Sequence, residues 1–255
     1  ITDFAITTKG STHPPSLAHL YIFDQYGLKT DYPTNKALVS TPAIGDLNSD
    51  NDELEIVFSG YSSDNKVFVI NSDGSDMDGF PLILGEKTKA GVALADFNGN
   101  GKDDIVVGTD NDNIYLIYDD GSIAPGFPYT TGDKIQAPPS IQEINGEKII
   151  FSGSNDNSFY AIKSDGSLLF SILTGDKILS SPSFLEHNGQ VSIFFGSNDD
   201  MIYAVDSGGN SLPGWPIDVS GNIGGSVVFA DLDGDNTAEV IAATDMGDVV
   251  AFHLN

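Results

Sequence analysis

The chain has 255 residues, with 37 Asp+Glu against 11 Lys+Arg, a formal net charge of −26 and no cysteine. A polyanion of this size repels phosphate, which argues against nucleic-acid and anionic-membrane partners, and the lack of Cys excludes disulfides, thiol chemistry and zinc–thiolate sites. No apolar run approaches the ~18 residues of a membrane span, while 40% hydrophobic residues and 15 Phe exclude a disordered acidic tail.

In chain order, six segments share one pattern: LAHLYIFDQYG, DNKVFVINSDG, DNIYLIYDDG, NSFYAIKSDG, DMIYAVDSGG and GDVVAFHLN. Their matching apolar residues are Phe23, Ile70, Ile117, Ile162, Val205 and Phe252, spaced 47, 47, 45, 43 and 47 apart. Five copies of a second block lie between them, from STPAIGDLNSDNDELEIVFSG to GSVVFADLDGDNTAEVIAAT. A third element recurs as DGFPLIL, PGFPYT and PGWPIDV. Each repeat therefore predicts four short β-strands, like PAIGD, LEIVFSG, KVFVI and FPLIL, rich in β-branched and aromatic residues and punctuated by Gly, Asn and Asp. No stretch carries a helical apolar stripe. Four strands per unit of about 40–47 residues is the pattern of a β-propeller blade. The expected fold is all-β: one propeller over residues 1–255 with six blades, a seventh being open. Ile1-Thr2-Asp3-Phe4 aligns with Thr237-Ala238-Glu239-Val240. The first blade is thus expected to lack its inner strand and the last its outer one, as in a piece of a longer protein.

The acids are unevenly chosen, 30 Asp against 7 Glu. Asp favours turns and hard-cation loops, whereas solvated helices favour Glu. Three loops between the first and second strands hold an Asp/Asn ladder. The first runs Asp46, Asn48, Asp50, Asp52, ending near Glu55. The second is Asp96, Asn98, Asn100, Lys102, Asp104. The third is Asp231, Asp233, Asp235, Thr237, Glu239. Ladder positions 1, 3, 5 and 9 bring side-chain oxygens, and position 7 offers a backbone carbonyl whatever its side chain. Alternate oxygens on a tight loop suit Ca²⁺, which takes 6–8 oxygen ligands, better than Mg²⁺, which keeps its waters. In the first loop Leu54 occupies position 9, so Glu55 reaches the site only if the loop bulges by one residue. The corresponding turns Glu143-Ile-Asn145-Gly-Glu147 and Glu186-His187-Asn188-Gly189 hold too few oxygens, and no metal is expected there.

These ladders, the apolar-Gly segments that follow them (Ile105-Val106-Val107-Gly108, for instance) and the PGFP/PGWP elements resemble the FG-GAP or VCBS-type repeats of integrin-like propellers and of bacterial secreted proteins. The resemblance implies a propeller with two to three structural Ca²⁺ sites in hairpin loops of one face, ligated by the ladder residues. It implies a non-catalytic module for binding, adhesion or scaffolding, secreted or at the cell surface, with an unidentified protein or glycan partner. The alternatives are a propeller-type polysaccharide lyase or hydrolase, an accessory domain of a secreted protease, and a quinoprotein-like propeller suggested by GSNDNSFYAIKSDGSLLF. That last reading is weakened by Phe170 and Leu173 where such repeats carry Trp.

Other acids fit plain turns. Asp64-Asn65, Asn111-Asp112-Asn113, Asn155-Asp156-Asn157, Asn198-Asp199-Asp200 and Gly247-Asp248 separate strands two and three. Asp73-Gly74, Asp120-Gly121, Asp165-Gly166 and Gly208-Gly209 separate strands three and four. Both sets supply the residues that tolerate positive φ. Lys36, Lys87, Lys134 and Lys177 each precede an inner strand at a nearly constant offset. They are either a ring of cations forming an anion-binding mouth or local partners of Glu86, Asp133 and Asp176. His13, His19, His187 and His253 sit in no motif, and no nucleophile motif occurs. Trp215 reads as a blade-packing aromatic, because its homologous positions are Phe80 and Phe127.

Overall fold

A computed structural model describes residues 4–8, 10–12, 15–34, 37–48, 53–61, 65–187 and 189–254. Among these residues every regular element is a β-strand, and no helix is long and apolar enough to cross a membrane. The strands form six antiparallel sheets, each in sequence order, plus a small ladder of Ser11–Thr12 on Pro15–Ser16. The chain separates into two compact units, Ile1–Thr130 with Lys134–Gln136, and Thr131–Asp133 with Ala137–Asn255.

The first unit holds three sheets. One contains Phe4–Thr7, Ala18–Asp24 and Gly27–Thr34. The second contains Ala43–Gly45, Glu55–Ser59, Lys66–Ile70 and Leu82–Ile83. The third contains Val92–Ala95, Asp104–Gly108, Asn113–Ile117 and Tyr129–Thr130. In the second unit, the fourth sheet contains Ser140–Ile144, Glu147–Gly153, Ser158–Lys163 and Leu168–Leu173. The fifth contains Ser183–His187, Gln190–Gly196, Met201–Asp206 and Ile217–Asp218. The sixth contains Val228–Ala230, Glu239–Ala243 and Val249–His253. Four sheets thus carry the four expected strands. The described part of the first sheet begins at a second strand, and that of the sixth ends at a third.

One register rule runs through all six. The repeat's marker residues pair with the second strand as Phe4↔Phe23, Ile56↔Ile70, Ile105↔Ile117, Ile150↔Ile162, Ile193↔Val205 and Val240↔Phe252. Second strands such as Glu55–Ser59 and Asp104–Gly108 are buried throughout, whereas the fourth strand Leu168–Leu173 is largely exposed. A strand covered on both faces reads as a continuous apolar run, and within each unit apolar side chains pack between adjacent sheets. Val57, Val69, Ile105 and Val107 pack between the second and third sheets. Phe159 and Phe195 stack between the fourth and fifth at a centroid distance of 4.0 Å. Trp215 meets Phe194 edge-on at 5.5 Å and Phe252 at 6.3 Å, the packing role read from its repeat position.

The turns follow the expected chemistry. Asn65, Asp112, Asn157 and Asp200 adopt positive φ between strands two and three, and Gly74, Gly121, Gly166 and Gly209 between strands three and four. Asp73, Asp120 and Asp165 each accept hydrogen bonds from the backbone N–H and hydroxyl of the Ser two residues on. Those bonds hold all three carboxyls below the usual range, the Ser hydroxyl being the largest cause. Asp64 lies outside the described residues.

Candidate functional site

The site is built where the first strand of a sheet hands over to the second. Ala95 pairs with Asp104, and Ala230 pairs with Glu239. Gly45 pairs with Glu55, which gives Glu55 the same register place as the other two acids. The first loop is therefore one residue longer than the others, and Glu55 rather than Leu54 closes its ladder. Leu54 is half exposed, while Glu55, Asp104 and Glu239 are 0%, 0% and 4% exposed.

Each of these buried acids makes one shared bond. Leu47 donates its backbone N–H to Glu55 Oε2 at 2.7 Å, Phe97 to Asp104 Oδ2 at 2.8 Å, and Leu232 to Glu239 Oε2 at 2.7 Å. The second residue of each ladder is thus fastened to its closing acid. Asp96 accepts the N–H groups of Gly99, Asn100 and Gly101, and Asp231 those of Gly234 and Asn236. Gly99, Gly101 and Gly234 all have positive φ. The first two loops are tied together: Asp103 donates its N–H to the Asp46 carbonyl at 2.6 Å, and Asp46 donates its own to Asp103 Oδ2 at 3.2 Å. Asp50 and Asp52 lie outside the described residues.

The loops differ in what meets the second oxygen of the closing acid. In the first loop the Asn48 side-chain amide donates to Glu55 Oε1 at 3.0 Å. In the second, Asp104 Oδ1 accepts the Asn98 amide at 3.5 Å and the Asp119 N–H at 3.1 Å. Burial still pushes the Asp104 carboxyl up to about 6 against these bonds. In the third loop position 3 is Asp233, a carboxylate with no proton to donate. Glu239 Oε1 is accordingly buried without a hydrogen-bond partner. One oxygen each from Asp231, Asp233 and Glu239 lies within 4.8 Å of the others. The Oε1 atom faces a set of hard oxygen donors, the chemistry that a divalent cation complements.

Three contributors are missing from the ladder motif. His253 Nδ1 lies 2.8 Å from Glu239 Oε1, though not in hydrogen-bond geometry, and its Nε2 lies 3.8 Å from Asp233 Oδ2. Asp119 accepts from the Asn100 amide at 2.8 Å and from Lys102 Nζ at 3.0 Å, so the Lys102 side chain stays at its own loop. Asn71 Oδ1 accepts from the Asn48 amide at 3.2 Å. All three follow the marker residues of strand three, and Glu239 pairs directly with His253. The marker alignment was the available signal: Asn71 and His253 directly follow the markers Ile70 and Phe252, and Asp119 lies two residues after Ile117.

The expected metal-free turns are tight hairpins, with Asn145 and Gly146 at positive φ in one and Gly189 in the other. Of the lysine positions, Lys36 lies outside the described residues, Lys87 and Lys134 are exposed, and Lys177 is half-buried. Glu86 is not the partner of Lys87: it accepts from Thr109, Asn113 and Tyr115. Asp176 Oδ1 accepts the Lys177 backbone N–H. His19 contacts the Asp31 carboxylate, and His13 lies outside the described residues.

Among solved structures, BamB from Moraxella catarrhalis superposes with a TM-score of 0.68 over 99% of this chain and 72% of BamB, at 14% identity. BBS1N in complex with ARL6DN gives 0.59 over 92% of this chain and 69% of BBS1N in its mercury-soaked form. The lead-soaked form gives 0.61 over 98% and 76%, and both BBS1N comparisons are at 15% identity. The fold is a β-propeller. No family model matches the chain, and no curated protein matches it in sequence.

Proposed function

We propose that this propeller is a non-catalytic, calcium-stabilised module of the FG-GAP/VCBS type, serving binding, adhesion or scaffolding in a secreted or cell-surface protein. The observation that carries the reading is the buried Glu239 Oε1, which has no hydrogen-bond donor and faces Asp231 and Asp233. Three carboxylates with oxygens this close repel one another, and a bound cation replaces that repulsion with ligation. The first two loops share the fastening of the closing acid to the second ladder residue, while their second carboxylate oxygens accept the Asn48 and Asn98 amides.

In the first loop Asp46, Asn48 and Glu55 are the described ligand candidates. In the second they are Asp96, Asn98, Asn100, Asp104 and the Lys102 carbonyl, and in the third Asp231, Asp233, Asp235, Glu239 and the Thr237 carbonyl. Calcium supplies charge neutralisation and loop rigidity. Extracellular modules of this kind bind at about 10⁻⁴–10⁻³ M. The binding role is supported by the propeller neighbour BBS1N, which was solved in complex with ARL6DN. Isothermal titration of the EDTA-stripped chain with CaCl₂ tests the metal reading. Two to three sites in the stated range are expected, and the absence of any saturable heat overturns it.

A further inference from the structure

The structure assigns to the outer edge of the fourth sheet a docking site for an extended, basic-flanked strand of a partner protein, which pairs with Leu168–Leu173. This gives the binding role proposed above a surface and a kind of partner, and it stands on the sheet edge rather than on the metal loops. An open edge strand is a template for pairing, and proteins blunt it by shortening it or by placing Pro or charge on it. The other described outer strands are blunted. Leu82–Ile83, Tyr129–Thr130 and Ile217–Asp218 are two residues long, and each directly follows a proline, Pro81, Pro128 or Pro216. Gly27–Thr34 is longer but exposes Lys29, Asp31 and Pro33. Leu168–Leu173 runs for six residues, Leu-Leu-Phe-Ser-Ile-Leu, without Pro or charge.

Ser158–Lys163 pairs with this strand on one side, and among the described residues no strand pairs with it on the other. Thr174 donates its N–H inward to the Asn157 carbonyl at 2.8 Å. Antiparallel ladders alternate, so Ile172 bonds inward as well, while Ser171 and Leu173 turn their N–H and C=O groups outward. The register shift in this ladder, between Ala161 and Ile162, falls at the Leu168–Phe170 end and leaves the rest regular. Phe170 and Ile172 pack on the core, whereas Leu168 and Leu173 are 44% and 76% exposed. An added strand therefore gains main-chain hydrogen bonds from Ser171 and Leu173 and apolar contacts from the leucines. Charge selects the occupant. A second copy would bring another chain of net charge −26 against the first, whereas Lys or Arg at the ends of a foreign strand are drawn to this field. The edge itself is neutral, Asp165 and Asp176 stand three residues beyond its two ends, and Lys163 is paired with Glu147 at 3.5 Å.

The probe is a fluorescent peptide with a Val-Thr-Val-Thr-Val-Thr core and two lysines at each end, together with its twin carrying glutamates at the ends. Anisotropy reads the binding of each to the full chain. Ser171→Pro removes an outward N–H and keeps the inward ladder bonds. Leu173→Lys puts a cation on the edge without touching the backbone, at an exposed position that leaves the core intact, and melting curves check both variants. Ile83→Lys, 70% exposed on the blunted edge of the second sheet, controls for the change in net charge. The lysine-flanked peptide is expected to bind the parent and Ile83→Lys alike and saturably. It should bind Ser171→Pro and Leu173→Lys at least about tenfold more weakly, on the scale of one or two lost hydrogen bonds, and the glutamate-flanked twin should bind the parent more weakly than it does. Equal affinity for the parent, Ser171→Pro and Leu173→Lys overturns the site, and so does equal affinity for the two peptides. A parent that sediments as a dimer, with Ser171→Pro a monomer, gives the edge to a second copy and overturns the foreign partner. Failure of the calcium reading shows separately, as melting curves that do not respond to CaCl₂.

Discussion

The buried carboxylate of Glu55 accepts the backbone N–H of Leu47 at 2.7 Å. Asp104 does the same for Phe97, and Glu239 for Leu232, in loops of two different lengths. The closing acid therefore holds the loop, and on the proposed calcium reading it also offers a ligand, so the two roles separate by mutation. Glu55→Gln keeps an acceptor for the Leu47 N–H and loses the charge. Its melting curve in EDTA should stay near the parent's, while its Ca²⁺-dependent gain shrinks by about 1.4 kcal/mol at ten times the dissociation constant. Glu55→Ala also strands the N–H, adding a loss of about 1–3 kcal/mol in EDTA. Denaturant unfolding of both variants, with and without Ca²⁺, reads the difference.

Gly196 ends a second strand directly against Ile223, and a Cβ built on it collides with the Ile223 Cβ and Cγ2. Gly153 meets Ile178 in the same way, and Gly108 meets Ile135. All three isoleucines are 0% exposed, so none can swing aside. Gly196→Ala should cost about 1–3 kcal/mol through overpacking. Gly225→Ala, where a Cβ meets nothing within 4 Å, should stay within about 0.5 kcal/mol of the parent. Equal urea midpoints for the two variants would contradict the close approach.

Tyr115 donates its hydroxyl to Glu86 Oε1 at 2.9 Å, and burial with that neighbouring carboxylate pushes its phenol up to about 12. The protonated form is the one favoured by folding. Its contribution is therefore complete below the ordinary tyrosine value near 10 and is lost as pH rises through 12. The difference in alkaline absorbance between the parent and Tyr115→Phe should titrate with a midpoint near 12. Glu86→Gln should lower that midpoint without restoring it fully, since burial is the larger cause. A parent midpoint near 10 would remove the claim.

Strand order and blade period were legible because the marker residues hold one register place in every sheet and Ile70, Ile117, Ile162 and Val205 are buried, which keeps their spacing free of insertions that exposed loops tolerate. The second and third ladders were legible because their oxygens sit at alternate positions of a single loop. Glu55 was less so: one extra residue shifts its place in the count but not its place opposite Gly45. His253 was invisible to the motif because it joins Glu239 across strands, and a cross-strand partner follows from register rather than from neighbouring residues. Glu86 illustrates the same limit. Its sequence neighbour is Lys87, yet its hydrogen-bond donors lie more than twenty residues away on Thr109, Asn113 and Tyr115.

The central claim is that bound calcium stabilises this propeller, and thermal unfolding of the full chain in millimolar CaCl₂ against excess EDTA tests it most directly. The account predicts a clearly higher melting temperature in calcium, rising with concentration and saturating, with about 1.4 kcal/mol per site at ten times the dissociation constant. Melting curves that superimpose in calcium and in EDTA would contradict it.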